Sequence, residues 1–343
     1  MKINQRLFDH YGIDTSKDLK IKKTCARPFD TLLINNQGSC YACECTSWLP
    51  QSVGNLRLTE LSEIMKSSMR RTLQESVSDG TYRYCNQRQC SYIRDEAIAH
   101  GTPESHIKNL RLAIDNSCNL RCPSCRKDMI FHKAGSAYDL GIQLADKIND
   151  WLHSYKHLIR VHIGSDGDPF ASHIYRHFMT HTPKRDNIDY SILTNALMFQ
   201  EFHIRVPHIV ANLKTLGVSM DGSCKETYEK LRLGGKWDKI LEGLECIRVV
   251  KNKYRFTFDL HMVVQQDNYR EIEQMVELCR RYEVDRLYLN RIQNWQTGID
   301  FRKQTFTSDP EFIKLISQLI KKYHKDSGDL YIHNNVLPRN TVI

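Results

Sequence analysis

The chain has 343 residues, 41% hydrophobic and 26% charged, an ordinary globular composition with enough length for one large domain and a smaller one. No run approaches the roughly 18 consecutive apolar residues of a membrane span, and the opening MKINQRLFDHYGID has no apolar core of a secretory signal, so neither membrane insertion nor export is expected. The net charge of +9 could mean a nucleic-acid partner, but it is spread along the chain instead of forming a stripe, so solubility and an anionic substrate explain it equally well, and a nucleic-acid partner is not expected.

The first part of the chain, residues 1–100, reads as a small cysteine-rich α+β domain. A hairpin-like run from Thr31 to Tyr41 turns at Asn35-Asn36-Gln37-Gly38, and a helical pattern follows from Leu58 to Glu75. Ala97 to Lys108, with Gly101 and Pro103, is the expected linker. From there to residue 308, β-branched runs alternate with amphipathic stretches, the pattern of repeated βα units and a parallel sheet. Six strands are expected: Leu110 to Asp115, Ile159 to Ile163, Ile188 to Leu193, Thr215 to Met220, Phe256 to Val264 and Arg286 to Arg291. Helices are expected at Tyr138 to Tyr155, Ala171 to His181, Met198 to Val206, Lys236 to Val250 and Tyr269 to Tyr282. The closing segment, 309–343, holds a helix from Pro310 to Tyr323 and a polar tail expected to be irregular after Lys325.

Twelve cysteines in a chain expected to stay in the reducing cytoplasm point to metal binding or catalysis before disulfides. Nine of them lie between Cys25 and Cys125, whereas Cys224, Cys246 and Cys279 stand singly in segments of ordinary character. Cys118, Cys122 and Cys125 share one loop at the end of the first strand of the βα series. Three thiolates at such spacings can hold three corners of a 4Fe-4S cubane and leave the fourth iron open. Zinc is the alternative, but it wants four ligands, and only His132 offers itself nearby.

The stretch Cys118-Asn119-Leu120-Arg121-Cys122-Pro123-Ser124-Cys125 resembles the CxxxCxxC motif of the radical S-adenosylmethionine (SAM) superfamily. The likeness runs over about residues 108–295. Ser165-Asp166-Gly167-Asp168-Pro169 resembles the Gly-Gly-Glu-Pro element, Thr194-Asn195-Ala196 the Thr-Asn-Gly element, and Ser219-Met220-Asp221-Gly222 the Ser-(Leu/Ile)-Asp-Gly element. All four fall at strand ends, where parallel βα barrels gather their chemistry. The resemblance implies a partial (β/α)6 TIM-like barrel, a SAM-bound 4Fe-4S cluster, and SAM contacts from Gly167, Asp168, Asn195, Ser219 and Arg232. It puts the amino group of SAM at Asp168 and the carboxylate at Ser219 and Arg232; an Arg fork suits a carboxylate. Ser124 departs from the aromatic residue common before the third cysteine, so adenine contacts must come partly from elsewhere.

In front of the barrel, Cys25, Gly38 and Cys43 follow a CX12GX4C pattern that resembles the opening of SPASM and twitch domains, which carry auxiliary 4Fe-4S clusters. Val53-Gly54-Asn55-Leu56 and the helix after it are similar too. Cys85 and Cys90 would complete a four-cysteine set, with Cys40 and Cys45 as substitutes. The order departs from the family, where such domains normally follow the barrel. A structural zinc site is the alternative for four thiolates in a small domain.

Along the fifth barrel strand, Phe256, Phe258, Leu260 and Met262 alternate with Thr257, Asp259 and His261. Asp259 and His261, with Tyr288 and Asn290 on the sixth strand, are expected to face inward, where they bind substrate, move a proton, or form a satisfied polar layer. Asp259, His261 and Tyr288 are the candidate catalytic residues. The implied activity is reductive SAM cleavage and hydrogen abstraction from a peptide or protein, with a sugar, aminoglycoside or other small molecule as the alternative. The residues before Cys25 are too few for a leader-peptide-binding domain. A flavodoxin- or ferredoxin-type electron donor is implied. A zinc-stabilised, non-catalytic RNA-binding protein is the competing class.

Overall fold

The computed structural model describes residues 3–94, 96–98, 106–305, 309–323 and 330–337. The expected linker and polar tail lie largely outside them. The fold is mixed α/β with a parallel-strand, unclosed sheet, a partial barrel. Its ten described strands are β1 (Thr31–Asn35), β2 (Ser39–Tyr41), β3 (Ser52–Asn55), β4 (Asn109–Ala113), β5 (Ile159–Ile163), β6 (Ile188–Thr194), β7 (Leu213–Ser219), β8 (Thr257–Val264), β9 (Arg286–Arg291) and β10 (Tyr331–Asn335). The six barrel strands expected from sequence are β4 to β9, displaced by at most two residues at any end.

Two compact units divide the chain: residues 1–116, 132–166 and 174–189 form the first, and 117–131, 167–173 and 190–343 the second. In the first unit the strand order is β5-β4-β1-β2-β3. The cysteine-rich segment is therefore joined to a barrel strand, because β1 pairs in parallel with β4, Leu33 opposite Arg111. The hairpin β1–β2 is antiparallel and turns at Gly38, whose φ of 75° is a conformation a side chain resists. The helical pattern from Leu58 is realised as two helices, Leu61–Ile64 and Ser68–Ser78. The break falls at Ser67, which is extended and whose side chain accepts from the Arg70 amide, a local bond that competes with helix continuation. The helix Ser136–Ser154 packs close to His173–His181: a methyl on Gly141 would lie 2.3 Å from Ile174 Cδ1.

The second unit has the order β10-β9-β8-β7-β6, all parallel. One face is apolar: Leu216 and Val218 of β7, Phe258, Leu260 and Met262 of β8, and Leu287 and Leu289 of β9 are fully buried. The alternation expected for β8 is realised, with the apolar set packed and the intervening polar set on the other face. The expected irregular tail gives way at β10, where Leu330 and Ile332 pack inward and Tyr331, His333 and Asn335 pair with Arg286, Tyr288 and Asn290 of β9. Its start follows the helix Pro310–Lys322, capped by Asp309 and opened by a proline at its first position. No helix among the described residues is long and apolar enough to cross a membrane.

Candidate active site

All twelve cysteines are free thiols. The loop after β4 folds back on itself, with the Cys118 amide donating to Ile130 O at 2.9 Å and Cys125 and Arg126 amides both donating to Cys122 O. Cys118 and Cys122 are buried and Cys125 is exposed. Donors surround the first two sulfurs. Leu120 N lies 3.4 Å and Asn195 Nδ2 3.8 Å from Cys118 Sγ, and Arg232 Nη1 lies 3.8 Å from Cys122 Sγ. Burial, then the charge of Asp168, pushes the Cys118 thiol up to about 11, and burial raises Cys122 against the pull of Arg232, so a positive centre at the site favours their thiolates. Three thiols on one loop, aligned with N–H donors and a guanidinium, fit an iron-sulfur cluster. Among the described residues, no three His, Cys, Asp or Glu side chains are arranged to hold a single metal ion.

Asp168 is almost wholly enclosed. Its Oδ2 accepts from Thr194 Oγ1 and Asn195 N, both at 2.7 Å, and its Oδ1 from Phe170 N at 3.1 Å and Ala171 N at 3.0 Å. Its own amide donates to Ser117 O. The carboxylate assigned to the amino group of SAM on sequence grounds is thus fully engaged inside the fold. It ties the end of β6 to the loop after β5 and to the residue before Cys118. Gly167, at φ 72°, and Ala196, at φ 64°, shape the two loops that meet there.

Arg232 is likewise held. Its Nε lies 2.7 Å from Asp221 Oδ2, and the pairing holds the guanidinium charged despite burial. Asp221 in turn accepts from Val263 N at 2.8 Å, while Asn268 Nδ2 donates to Asp221 O. Gly222 is required beside it, because a Cβ there would stand 2.3 Å from Tyr228 N. Ser219 ends β7, half-buried and opposite His261 of β8.

The register then extends this row across the sheet. Ser219, His261, Tyr288 and His333 are successive partners on β7, β8, β9 and β10. The rings of His261 and Tyr288 stack with centroids 4.5 Å apart and planes 3° apart, and those of Tyr288 and His333 at 4.4 Å and 4°. Gly217 makes room for the first rung, since a Cβ there would lie 3.0 Å from His261 Nε2. In the next row Arg286 grips Asp259 with two hydrogen bonds of 2.6 and 2.7 Å. Burial pushes Asp259 up to about 6 against the pull of Arg286. Burial, then the charges of Arg286, His333 and Arg232, drive His261 down to about 4, leaving a neutral imidazole at physiological pH. The structure brings Asp259, His261 and Tyr288 onto one face, as expected. It adds His333, Arg286 and Asp221, which the sequence reading did not single out as site residues. The alternation Leu330-Tyr331-Ile332-His333 carried the signal for His333.

In the first unit Cys25, Cys43, Cys85 and Cys90 line one cavity together with Arg27, Trp48, Tyr82 and Tyr92. Burial raises all four thiols. Cys40 lies apart in β2, where its sulfur approaches Gly38 O, and Cys45 contacts Ser47 Oγ. Four thiols lining one cavity make a four-cysteine donor set of the kind a 4Fe-4S cluster uses, and a structural zinc site draws on the same set.

Comparison with known proteins gives two family matches. Residues 113–279 match the radical SAM superfamily, and residues 25–91 match an iron-sulfur cluster-binding domain, SPASM. A GTP 3',8-cyclase of Alkaliphilus oremlandii is 23% identical over 217 residues, 62% of this chain and 65% of that protein. Similar solved structures are Streptococcus suis SuiB bound to precursor peptide SuiA (TM-score 0.47, 16% identity, 66% of this chain and 48% of that one) and native anSMEcpe with bound AdoMet (TM-score 0.48, 16% identity, 66% and 63%). The two matched domains imply a SAM-binding 4Fe-4S cluster and further iron-sulfur binding in the front domain. The chain spans less than two thirds of the length of these relatives, and what it shares with them is a radical SAM domain at residues 113–279, preceded here by a SPASM iron-sulfur domain at residues 25–91.

Proposed function

We propose that the chain reductively cleaves SAM and abstracts hydrogen from an unactivated C–H position of its substrate. The observation that carries this reading is the triad Cys118, Cys122 and Cys125 on one loop, with N–H donors and Arg232 at its sulfurs. The three cysteines would hold a 4Fe-4S cluster, which supplies SAM binding at its open iron and the electron that generates a 5'-deoxyadenosyl radical. Asp168 acts as a positioning residue that fixes the loops bearing Gly167 and Asn195. The backbone of those loops is then left to meet the amino group of SAM. Ser219 and the outer edge of the Arg232 guanidinium would meet the carboxylate, with Asp221 holding the fork in place. His261, neutral, is the proton acceptor of the substrate face. Tyr288 and His333 stiffen it, and Asp259 holds Arg286 toward the same face.

Residues 1–100 would serve as the auxiliary electron acceptor, with Cys25, Cys43, Cys85 and Cys90 saturating a second 4Fe-4S cluster. The proposed boundaries are 101–308 for the catalytic barrel and 309–343 for the closing segment, whose β10 pairs with β9. A flavodoxin- or ferredoxin-type protein in the cytoplasm would supply the first electron. Peptide or protein modification is the proposed reaction class, supported by the SPASM match, since relatives with such domains act mostly on peptides or proteins; four protein thiolates would leave the auxiliary cluster to take the electron left by substrate oxidation. A small-molecule substrate is the second reading, favoured by the sequence likeness to a protein named for acting on GTP.

The test is anaerobic reconstitution followed by dithionite reduction with SAM, scoring 5'-deoxyadenosine. The wild type is expected to release it and a Cys118, Cys122, Cys125 triple Ala variant none. Zinc without iron in properly reconstituted protein would sink the reading.

A further inference from the structure

On the face of β4 and β5 opposite the packed leucines, the first unit carries a charge that no carboxylate among the described residues answers. Register places Leu33, Arg111 and His162 in one row across β1, β4 and β5. Leu110 and Leu112, on either side of Arg111, are fully buried toward the opposite face. The Nε of Arg111 is enclosed and has no hydrogen-bond partner among the described residues. Its cationic neighbours are answered: Arg160 by Asp189 at 3.7 Å, and Arg27 by Glu44 at 2.9 Å and Asp30 at 4.0 Å. No carboxylate among the described residues pairs with Arg111.

His162 beside it adds no charge. Its Nε2 lies 3.3 Å from Asn109 Oδ1, an acceptor to which the ring nitrogen donates. Burial, then Arg111, Arg160 and Arg27, drive that imidazole down to about 3, so the surroundings are cationic. Arg111 is half-buried with its Nε enclosed, and a guanidinium held partly out of water without a counter-ion costs free energy that a leucine or methionine at this sheet position would not. The planar fork is matched to an oxyanion.

We propose that Arg111 binds an anionic group of the substrate, a phosphate or a carboxylate, and so selects for acidic substrates. This rests on the reading above that the chain transforms a bound substrate. Binding is measured on full-length reconstituted protein without SAM, by calorimetry and thermal denaturation at constant ionic strength, with inorganic phosphate and with N-acetylglutamate as probes. The wild type is expected to bind one of them and to gain thermal stability from it. Phosphate binding assigns a phosphorylated substrate, N-acetylglutamate binding a carboxylated one. Arg111→Met is expected to lose at least about tenfold in affinity yet melt no lower than wild type in chloride, because an uncompensated charge has been removed. Arg111→Lys, which keeps the charge without the fork, is expected to bind with intermediate affinity.

Equal binding by wild type and Arg111→Met overturns the proposal, as does the absence of binding to either probe by wild type. A lower melting point for Arg111→Met without any anion effect overturns it too, by making the residue structural. Because SAM is left out, a chain that binds phosphate through Arg111 but never cleaves SAM sinks the radical reading alone.

Discussion

At Asp168 two oxygens meet four donors, and exchanging one oxygen for an amide would turn the two N–H and O–H groups at Oδ2 toward another donor. Asp168→Asn should therefore cost about 2–4 kcal/mol of stability and loosen the triad loop. Urea denaturation and iron retention after gel filtration check this, and a variant as stable and iron-replete as wild type refutes it. Asp168 was legible in the sequence as a residue of the site, but its role was not: whether a carboxylate meets a ligand or its own backbone depends on strands far apart in the chain. His261 gives a pH signature. Its pKa falls from about 6.5 in the unfolded chain to about 4 in the fold. The unfolded state therefore binds the extra proton first, and stability declines as pH drops from about 6.5 to about 4. Asp259, raised to about 6, works in the opposite direction and stabilises most at low pH. His261→Gln should flatten the acid loss, measured as urea midpoints at pH 7 and pH 5; an unchanged acid slope would count against a neutral buried imidazole.

Among the elements, the turn after β7 shows how little room the site allows. Placing a methyl on Gly222 drives it into the backbone of Tyr228, which cannot retreat as a flexible side chain would. Gly222→Ala should cost about 1–3 kcal/mol or more and displace the Asp221–Arg232 pair, read as a weaker SAM affinity in equilibrium dialysis. The barrel strands were legible because parallel buried strands are β-branched runs bounded by polar turns. The hairpin was legible because its Gly38 turn is a local signal. β10 was not, since Tyr331 to Asn335 holds one apolar residue in five and becomes a strand through its partner β9. Propensity alone does not reveal an edge strand whose outer face is ring-bearing and polar.

Across the whole molecule, two groups of thiols are finished in separate compact units: four around a cavity in the first, three on a loop in the second. Anaerobically reconstituted wild type should hold about eight irons, and replacing Cys25, Cys43, Cys85 and Cys90 by Ala should leave about four. The remaining signal should keep its response to SAM in electron paramagnetic resonance; its loss would mean that the two groups do not load independently. Cysteine spacing made both groups legible. It put Cys43 first, with Cys40 and Cys45 as substitutes, and could not show that Cys43 alone of the three lines the cavity, because that depends on how the chain folds after β2.

The row of rings ending at His333 also has an order in time. A ribosome extends the chain from its amino end at about 5–20 residues per second, so the front thiols emerge first and the loop of Cys118 soon after. His333, on the last described strand, emerges some 200 residues later. A nascent chain can therefore hold every cysteine of both groups before its row of stacked rings exists, and a chain cut short by a premature stop keeps all seven thiols while lacking the last ring of that row.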